Sequence, residues 1–156
     1  RYNSRGKFNV PFGRYRRPYF PAREMADFEQ RARRAEFVHA PFARVMDTAR
    51  PGDVVYCDPP YVPLSDTALF TSYSAGKFGR AEQILLARQA EQLAARGVPV
   101  VISNHHTDFT RTTYRQAELT TFDVRRHISC NQAGRGLVTE VLALFTEAGQ
   151  LENIPQ

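Results

Sequence analysis

Val54-Val55-Tyr56-Cys57-Asp58-Pro59-Pro60-Tyr61 is the stretch on which the fold of this chain turns. The apolar run between Gly52 and Asp58 predicts a short buried strand over Asp53 to Cys57. Two prolines then stiffen the chain just past the strand and leave no N–H on Pro59 or Pro60. The nearby carbonyls, that of Pro59 among them, can therefore point into a cleft, with the Asp58 carboxylate as a further acceptor and Tyr61 as a flat aromatic face. Two acceptors beside a ring suit a planar group that carries an amino substituent, and adenine outside its helix fits that description. The plainer alternative is a strand-terminating turn in which Asp58 caps a backbone amide. At average composition the tetrapeptide should occur in on the order of one in a thousand chains of this length, which favours the functional reading.

Outward from that corner the pattern alternates. Over residues 82–96, Leu86, Ala90, Leu93 and Ala94 fall on one helical face before Gly97 supplies a stop. Val98 to Ile102 reads as a second buried strand ending at Ser103-Asn104, and 107–117 as a short helix capped by Thr107 or Asp108. Residues 119–126 and 137–146 read as two further strands, and the polar tail from Glu147 as frayed. The order strand, helix, strand, helix, strand, strand predicts an α/β sheet with at least two parallel crossovers. Ligands in such sheets sit at the carboxyl ends of the strands, which singles out Asp58 to Tyr61 and Ser103 to His106. Upstream, Met25, Phe28, Ala32 and Ala35 give a helix from Pro21 with one apolar face.

The 156 residues hold 21 Lys and Arg against 16 Asp and Glu, and only two cysteines. A chain of this length buries roughly 68–70% of its unfolded surface without disulfides or a structural metal. Cys57 and Cys130 form neither a disulfide framework nor a zinc pattern, which points to a reducing compartment. With no run of about 18 apolar residues and no signal-peptide profile, the expectation is a soluble, cytoplasmic protein away from membranes. His105 and His106 lack any HExxH-like spacing, so no metal is expected.

Charge is unevenly placed. Residues 1–23 hold Arg1, Arg5, Lys7, Arg14, Arg16, Arg17 and Arg23 and no acidic residue, leaving 14 basic and 16 acidic groups for the rest. Such a block suits a polyanionic partner, because each phosphate contact releases condensed counterions. Tyr2, Phe8, Val10, Phe12, Tyr15, Tyr19 and Phe20 interleave with these charges, and Ser4, Gly6, Pro11 and Gly13 supply turn residues. A short, irregular β-hairpin or rigid loop is predicted rather than a disordered arm.

These residues resemble a known family. Asp58-Pro59-Pro60-Tyr61 is similar to the DPPY motif of the amino-methyltransferases, and the wider context resembles the Dam-type bacterial DNA adenine methyltransferases, which act on the adenine of GATC. The likeness runs through RYNxxGxFNVPFGRY at Arg1 to Tyr15, VVYCDPPYxPLSxTAxFTxY at Val54 to Tyr73, VxISNH at Val100 to His105, VRRxIS at Val124 to Ser129 and the strand at Val141 to Phe145. Related glutamine and ribosomal enzymes more often carry Asn in place of Asp58, and amino-cytosine enzymes Ser, so Asp58 favours adenine in DNA. The resemblance implies that Asp58 and the Pro59 carbonyl accept hydrogen bonds from the exocyclic amine. Asp58, Pro59, Pro60 and Tyr61 are then the catalytic set, with Tyr61 stacking on the flipped base and Asp58 also touching the cofactor, S-adenosylmethionine. For double-stranded DNA it implies that Arg1 reads guanine and that Pro11 makes an apolar contact with the site. Asn3, Arg14, Tyr15, Arg16 and Arg17 then contact phosphates. Arg125 and Asn131, with Arg126 and Ser129 around them, match a segment near the flipped nucleotide, although Cys130 and the Asn131-Gln132-Ala133-Gly134 run depart from the commoner wording. Phe70, Thr71, Tyr73 and Phe78 match a mobile loop that closes over the base.

The implied fold is the carboxyl-terminal half of a Rossmann-like class I methyltransferase sheet. Its strands run in the local order 4-5-7-6 with the last antiparallel, behind a basic β-hairpin and helix that read the target. Residues 1–50 would belong to the recognition region, 51–147 to the catalytic half-domain and 148–156 to a tail. No glycine-rich FxGxG-like loop is present, so the first predicted strand should expose an apolar edge. An isolated piece should then be marginally stable, inactive and weak in cofactor binding, while the complete enzyme is expected to be a monomer. Two other readings stand beside the enzyme: a non-catalytic DNA-binding module that keeps the basic hairpin, and a methyltransferase for RNA or protein, which Asp58 and the hairpin disfavour.

Overall fold

A computed structural model describes residues 3, 5–10, 16, 19–64, 78–125 and 136–147. The chain divides into two units, Arg1–His39 and Ala40–Gln156. Among the expected site residues, Arg1, Pro11, Arg14, Tyr15, Arg17 and Asn131 lie outside the described residues, as do Phe70, Thr71, Tyr73, Arg126, Ser129 and Cys130.

In the first unit Asn3 is bonded through its backbone to Gly6 and Lys7. The Asn3 N–H donates to the Lys7 carbonyl at 2.9 Å, and Gly6 takes φ +71°, a left-handed conformation that a side chain would disfavour. Helix α1, Ala22–Ala32, follows. Its expected apolar face is not buried: no residue of α1 is, Met25 and Phe28 are exposed, and Ala35 falls beyond the helix end. The periodicity found the helix correctly, but this unit holds no second helix or sheet among its described residues against which that face could pack.

The second unit carries α2 (Phe42–Met46), β1 (Val55–Cys57), α3 (Arg80–Ala94), β2 (Val100–His105), α4 (Asp108–Thr113), β3 (Glu118–Arg125) and β4 (Leu137–Phe145). Only α2 was unforeseen, because five residues are too few to show a helical period, yet it brings Met46 into the core. A turn over Arg50-Pro51-Gly52-Asp53 launches β1. Pro51 presets its first torsion, Gly52 takes φ +99°, and the Asp53 N–H closes onto the Arg50 carbonyl at 2.9 Å. The four strands form one sheet in the order β1-β2-β4-β3. β1 and β2 are parallel, with Val55 opposite Val100, whereas β4 is antiparallel to both of its neighbours. β3 thus runs in the same direction as β2 with β4 inserted between them.

Helix α3 bridges β1 and β2. Its first turn is closed by the Gly79 N–H donating to the Glu82 carboxylate at 2.7 Å, and the chain leaves it through Gly97 at φ +77°. Leu86, Ala87, Ala90, Leu93 and Ala94 are buried in one cluster with Val98, Val100, Ile102 and Phe145, and Gln83 is buried at the start of the same stripe. Burying a leucine such as Leu86 or Leu93 contributes about 1.5–3 kcal/mol, so this face anchors α3 firmly to the sheet.

Two strand expectations are corrected. β1 is three residues long and is not a buried strand: Val54, just before it, is 71% exposed and Tyr56 63%. The physical reason is its place at the sheet edge with β2 as its one strand partner among the described residues, the open edge also expected from the sequence. β2 in turn is shifted relative to its expected span. It begins at Val100 rather than Val98 and runs through the expected Ser103-Asn104 end to His105, with Ser103, Asn104 and His105 paired with Leu142, Val141 and Glu140 of β4.

Candidate functional site

The backbone leaves β1 at Cys57 and turns through Asp58, Pro59, Pro60 and Tyr61 at the carboxyl end of the parallel β1–β2 pair, where α/β sheets hold their ligands. Asp58 is exposed, Pro59 buried, and Pro60 and Tyr61 half-buried. The Asp58 side chain does not fold back to cap its own loop. Its Oδ1 accepts from the hydroxyl of Ser103 on β2 at 3.1 Å, and the Ser103 Oγ accepts from the Tyr56 hydroxyl at 3.1 Å. Ser103 is itself buried, so one face of the carboxylate is fixed from beneath while the group remains open to solvent.

Behind the corner lies a buried polar network. Gln83 Nε2 donates to the Pro60 carbonyl at 2.7 Å, and Gln83 Oε1 accepts from Asn104 Nδ2 and the Tyr114 hydroxyl, both at 3.1 Å. Asn104 Oδ1 accepts from the Val62 N–H at 2.9 Å. His105 Nδ1 lies 2.7 Å from the Val62 carbonyl and must carry the proton there, since a carbonyl only accepts. The His105 ring also meets Tyr61 edge-on, with centroids 5.0 Å apart and planes at 85°. Below, the Thr110 hydroxyl donates to the His105 carbonyl at 2.8 Å, and Thr107 caps α4 by accepting the Thr110 N–H.

Electrostatics favour neutral groups around the acceptor. Burial pushes the Tyr61 phenol above its ordinary value, the Ser103 hydroxyl opposes this, and the Glu140 and Asp58 carboxylates add to it, so the ring stays uncharged at neutral pH. Burial also raises the Cys57 thiol to about 11. A thiol protonated at neutral pH is a poor nucleophile, in keeping with chemistry that needs no covalent intermediate. Tyr114 is raised to about 12, first by burial.

On the flank of the corner a cavity of about 450 Å³ is lined by Phe42, Met46, Tyr56, Asp58, Pro60 and Phe78, among others. The rings of Phe42 and Phe78 stand 5.7 Å apart. Phe78 thus lines the cavity beside Asp58. Arg125 is the exposed last residue of β3, and Arg16 is exposed in the first unit. Asn3 Oδ1 accepts from the N–H groups of Arg5 and Lys7, both at 3.0 Å. The sequence did not single out Gln83 or Tyr114. A polar residue on an otherwise apolar helical stripe was the available signal for Gln83.

An α/β sheet with an Asp-Pro-Pro-Tyr corner at the carboxyl end of a strand is the arrangement that the resemblance to the amino-methyltransferases predicts. Residues 1–128 match the family described as D12 class N6 adenine-specific DNA methyltransferase. The chain is 50% identical over 147 residues to a DNA adenine methylase of Vibrio cholerae, covering 94% of this chain and 53% of that protein. A DNA adenine methylase of Serratia marcescens is 51% identical over 146 residues, covering 93% and 54%. One of Escherichia coli K12 is 50% identical over 145 residues, covering 93% and 52%. The chain belongs to the D12 class of N6 adenine-specific DNA methyltransferases, and it spans about half the length of these relatives.

Proposed function

We propose that this chain forms the base-binding and target-reading half of an enzyme that transfers a methyl group from S-adenosylmethionine to the exocyclic amine of adenine in double-stranded DNA, with GATC as the target. The observation that carries this is the Asp58 carboxylate, oriented by Ser103, open to solvent and set beside the Tyr61 ring. On this reading the four strands are the second half of a seven-stranded class I sheet; the order β1-β2-β4-β3 with β4 antiparallel supports it.

The amine of adenine is a poor nucleophile because its lone pair is delocalised into the purine. Asp58 and the Pro59 carbonyl accept its two N–H bonds, favour a pyramidal nitrogen and stabilise the positive charge that develops there. The surplus proton then leaves to solvent along the open Asp58 carboxylate. Tyr61 holds the extruded ring by stacking and excludes water from one side. Asp58 and the corner also fix the direction from which the amine meets its alkyl donor, which is catalysis by proximity. The residues lining the flanking cavity fit the cofactor: Phe42, Tyr56 and Phe78 offer aromatic faces, and Asp58 is the one charged group in the described lining and suits a cation. S-adenosylmethionine, when bound there, would supply an electrophilic methyl group and leave as the neutral thioether. Arg1 reads guanine and Pro11 makes an apolar contact with the site, while Asn3, Arg14, Tyr15, Arg16 and Arg17 bind phosphates and Arg125 and Asn131 approach the strand near the flipped base.

The test is Asp58→Ala in the protein expressed from its complete reading frame. Methyl transfer to a GATC duplex should fall by on the order of 10²–10³ or more, the cost of one preorganised electrostatic partner, while DNA affinity stays within a few fold. Surviving transfer with weakened DNA binding would overturn the assignment.

A further inference from the structure

The corner from Asp58 to Tyr61 has few soft torsions left. Pro59 and Pro60 lock φ near −65°, and Asp58 and Pro59, each preceding a proline, are held extended. The next free rotation is ψ of Pro60, which sets where its carbonyl points and where Tyr61 goes. That carbonyl is engaged by Gln83 Nε2 at 2.7 Å. Gln83 is wholly buried on the α3 face, and so are Asn104 and Tyr114, the groups that hold its other end. A reversed Gln83 amide would set oxygen against the Pro60 carbonyl and lose its bonds from Asn104 and Tyr114, so the network admits one orientation. Two residues on, Asn104 and His105 hold the N–H and C=O of Val62. Tyr61 is therefore bracketed by fixed backbone atoms on both sides.

We infer that Gln83 is a positioning residue for methyl transfer, fixing ψ of Pro60 and thereby the placement of the Tyr61 ring relative to the Asp58 carboxylate. It touches no reacting atom, and the inference rests on the function proposed above. Two near-isosteric variants test it. Gln83→Met removes the donor without adding charge. Gln83→Glu keeps the shape. As a neutral acid its O–H can still donate to the Pro60 carbonyl while its other oxygen accepts from Asn104 and Tyr114; as a carboxylate it has no proton for Pro60. Burial raises the pKa of the introduced carboxyl above the ordinary carboxylate range. The titratable groups around the corner and its network are Tyr114, His105, Cys57, Asp58 and Tyr61; Gln83→Met, which shares all of them and adds no charge, is the control against which the pH dependence of Gln83→Glu is read.

In the protein from its complete reading frame, Gln83→Met should lower kcat about tenfold at every pH, with KM for a GATC duplex within twofold. Gln83→Glu should lie within about threefold of wild-type kcat near pH 5.5 and lose at least tenfold by pH 8.5, again at constant KM. A merely structural residue would instead move kcat, KM and melting temperature together, and that result, or Gln83→Met at wild-type kcat, overturns the inference. A second measurement needs no activity. Hydrogen exchange at the Val62 amide should speed at least tenfold in Gln83→Met while Val100 and Ile102 stay within twofold; unchanged exchange at Val62 overturns the inference. Wild type that fails to methylate adenine sinks the proposed function instead and leaves the exchange result to judge Gln83.

Discussion

Replacing Ser103 by alanine separates two roles of the corner. Ser103 Oγ has one proton, and the Asp58 Oδ1 at 3.1 Å is a closer acceptor than the Cys57 carbonyl at 3.4 Å, so the hydroxyl donates mainly to the carboxylate. Tyr56 donates into the same oxygen. A hydrogen bond to a charged group is worth about 1.5–3 kcal/mol. Asp58 is exposed, so water replaces part of that, and a net loss of about 1.4 kcal/mol in orienting the carboxylate corresponds to a tenfold slower transfer. The Tyr56 hydroxyl, on a side chain 63% exposed, finds water instead, so no buried group is orphaned and the fold loses little. Ser103→Ala should thus slow single-turnover methyl transfer to a GATC duplex about tenfold, leave the DNA dissociation constant within twofold and shift the melting temperature by less than about 3 °C. Tyr56→Phe removes only the outer link and should cost about two- to threefold. Transfer by Ser103→Ala within twofold of wild type would refute the claim that Ser103 orients Asp58, and a larger loss in Tyr56→Phe would reverse the assigned order of the chain.

Tyr61→Phe keeps the ring and should transfer within about threefold of wild type. Tyr61→Ala gives up about 1–3 kcal/mol of base stacking and should weaken capture of the extruded base roughly 5- to 150-fold, read from the fluorescence of 2-aminopurine placed at the target; equal capture by both variants would remove Tyr61 from the site. Burial raises the Cys57 thiol to about 11, so the fold favours its protonated form. That contribution is fully present below the unfolded value near 9 and is lost as pH rises through 11. Iodoacetamide labelling of the Cys57 peptide, followed by mass spectrometry, should accordingly stay slow at pH 8 and climb only toward pH 11; rapid labelling at pH 8 would contradict it.

How much of this was legible in the sequence depends on how local the cause was. The α3 stripe of Leu86, Ala90, Leu93 and Ala94 and its Gly97 stop were readable because burial and period coincide there. The α1 face shows the converse: period predicts a helix, but burial needs a partner element that spacing cannot supply. The apolar run ending at Cys57 looked buried because composition does not distinguish a central strand from an edge strand; sheet order decides that. Insertion of β4 between β2 and β3 is likewise long-range, and it was expected only through the family resemblance. Within the site, Asp58 to Tyr61 were legible as a contiguous motif. Ser103 and Asn104 were noticed as a strand end, yet their contacts cross 45 and 42 residues, and Gln83 reaches Pro60 across 23. Partners at that separation leave no periodic trace.

On the proposed reading, those long-range contacts let an acceptor pair work beside a strand that has one partner among the described residues. Acceptors direct an amine only if their lone pairs hold a fixed direction, and an edge strand of three residues supplies little rigidity. Ordering a free loop on base binding would cost about 1–2 kcal/mol for each residue fixed. Here the two prolines and the bonds to Pro60 and Val62 impose that order at folding, when the hydrophobic face of α3 supplies the free energy. Burying Gln83, Asn104 and Tyr114 is tolerable because each finds partners within the network; breaking one link strands the others in a low-dielectric interior. Substitutions behind the corner should consequently behave as a unit and be felt as misdirection of Tyr61 and Asp58, whereas substitutions on its solvent side, such as Asp58→Ala, remove chemistry and leave the scaffold standing.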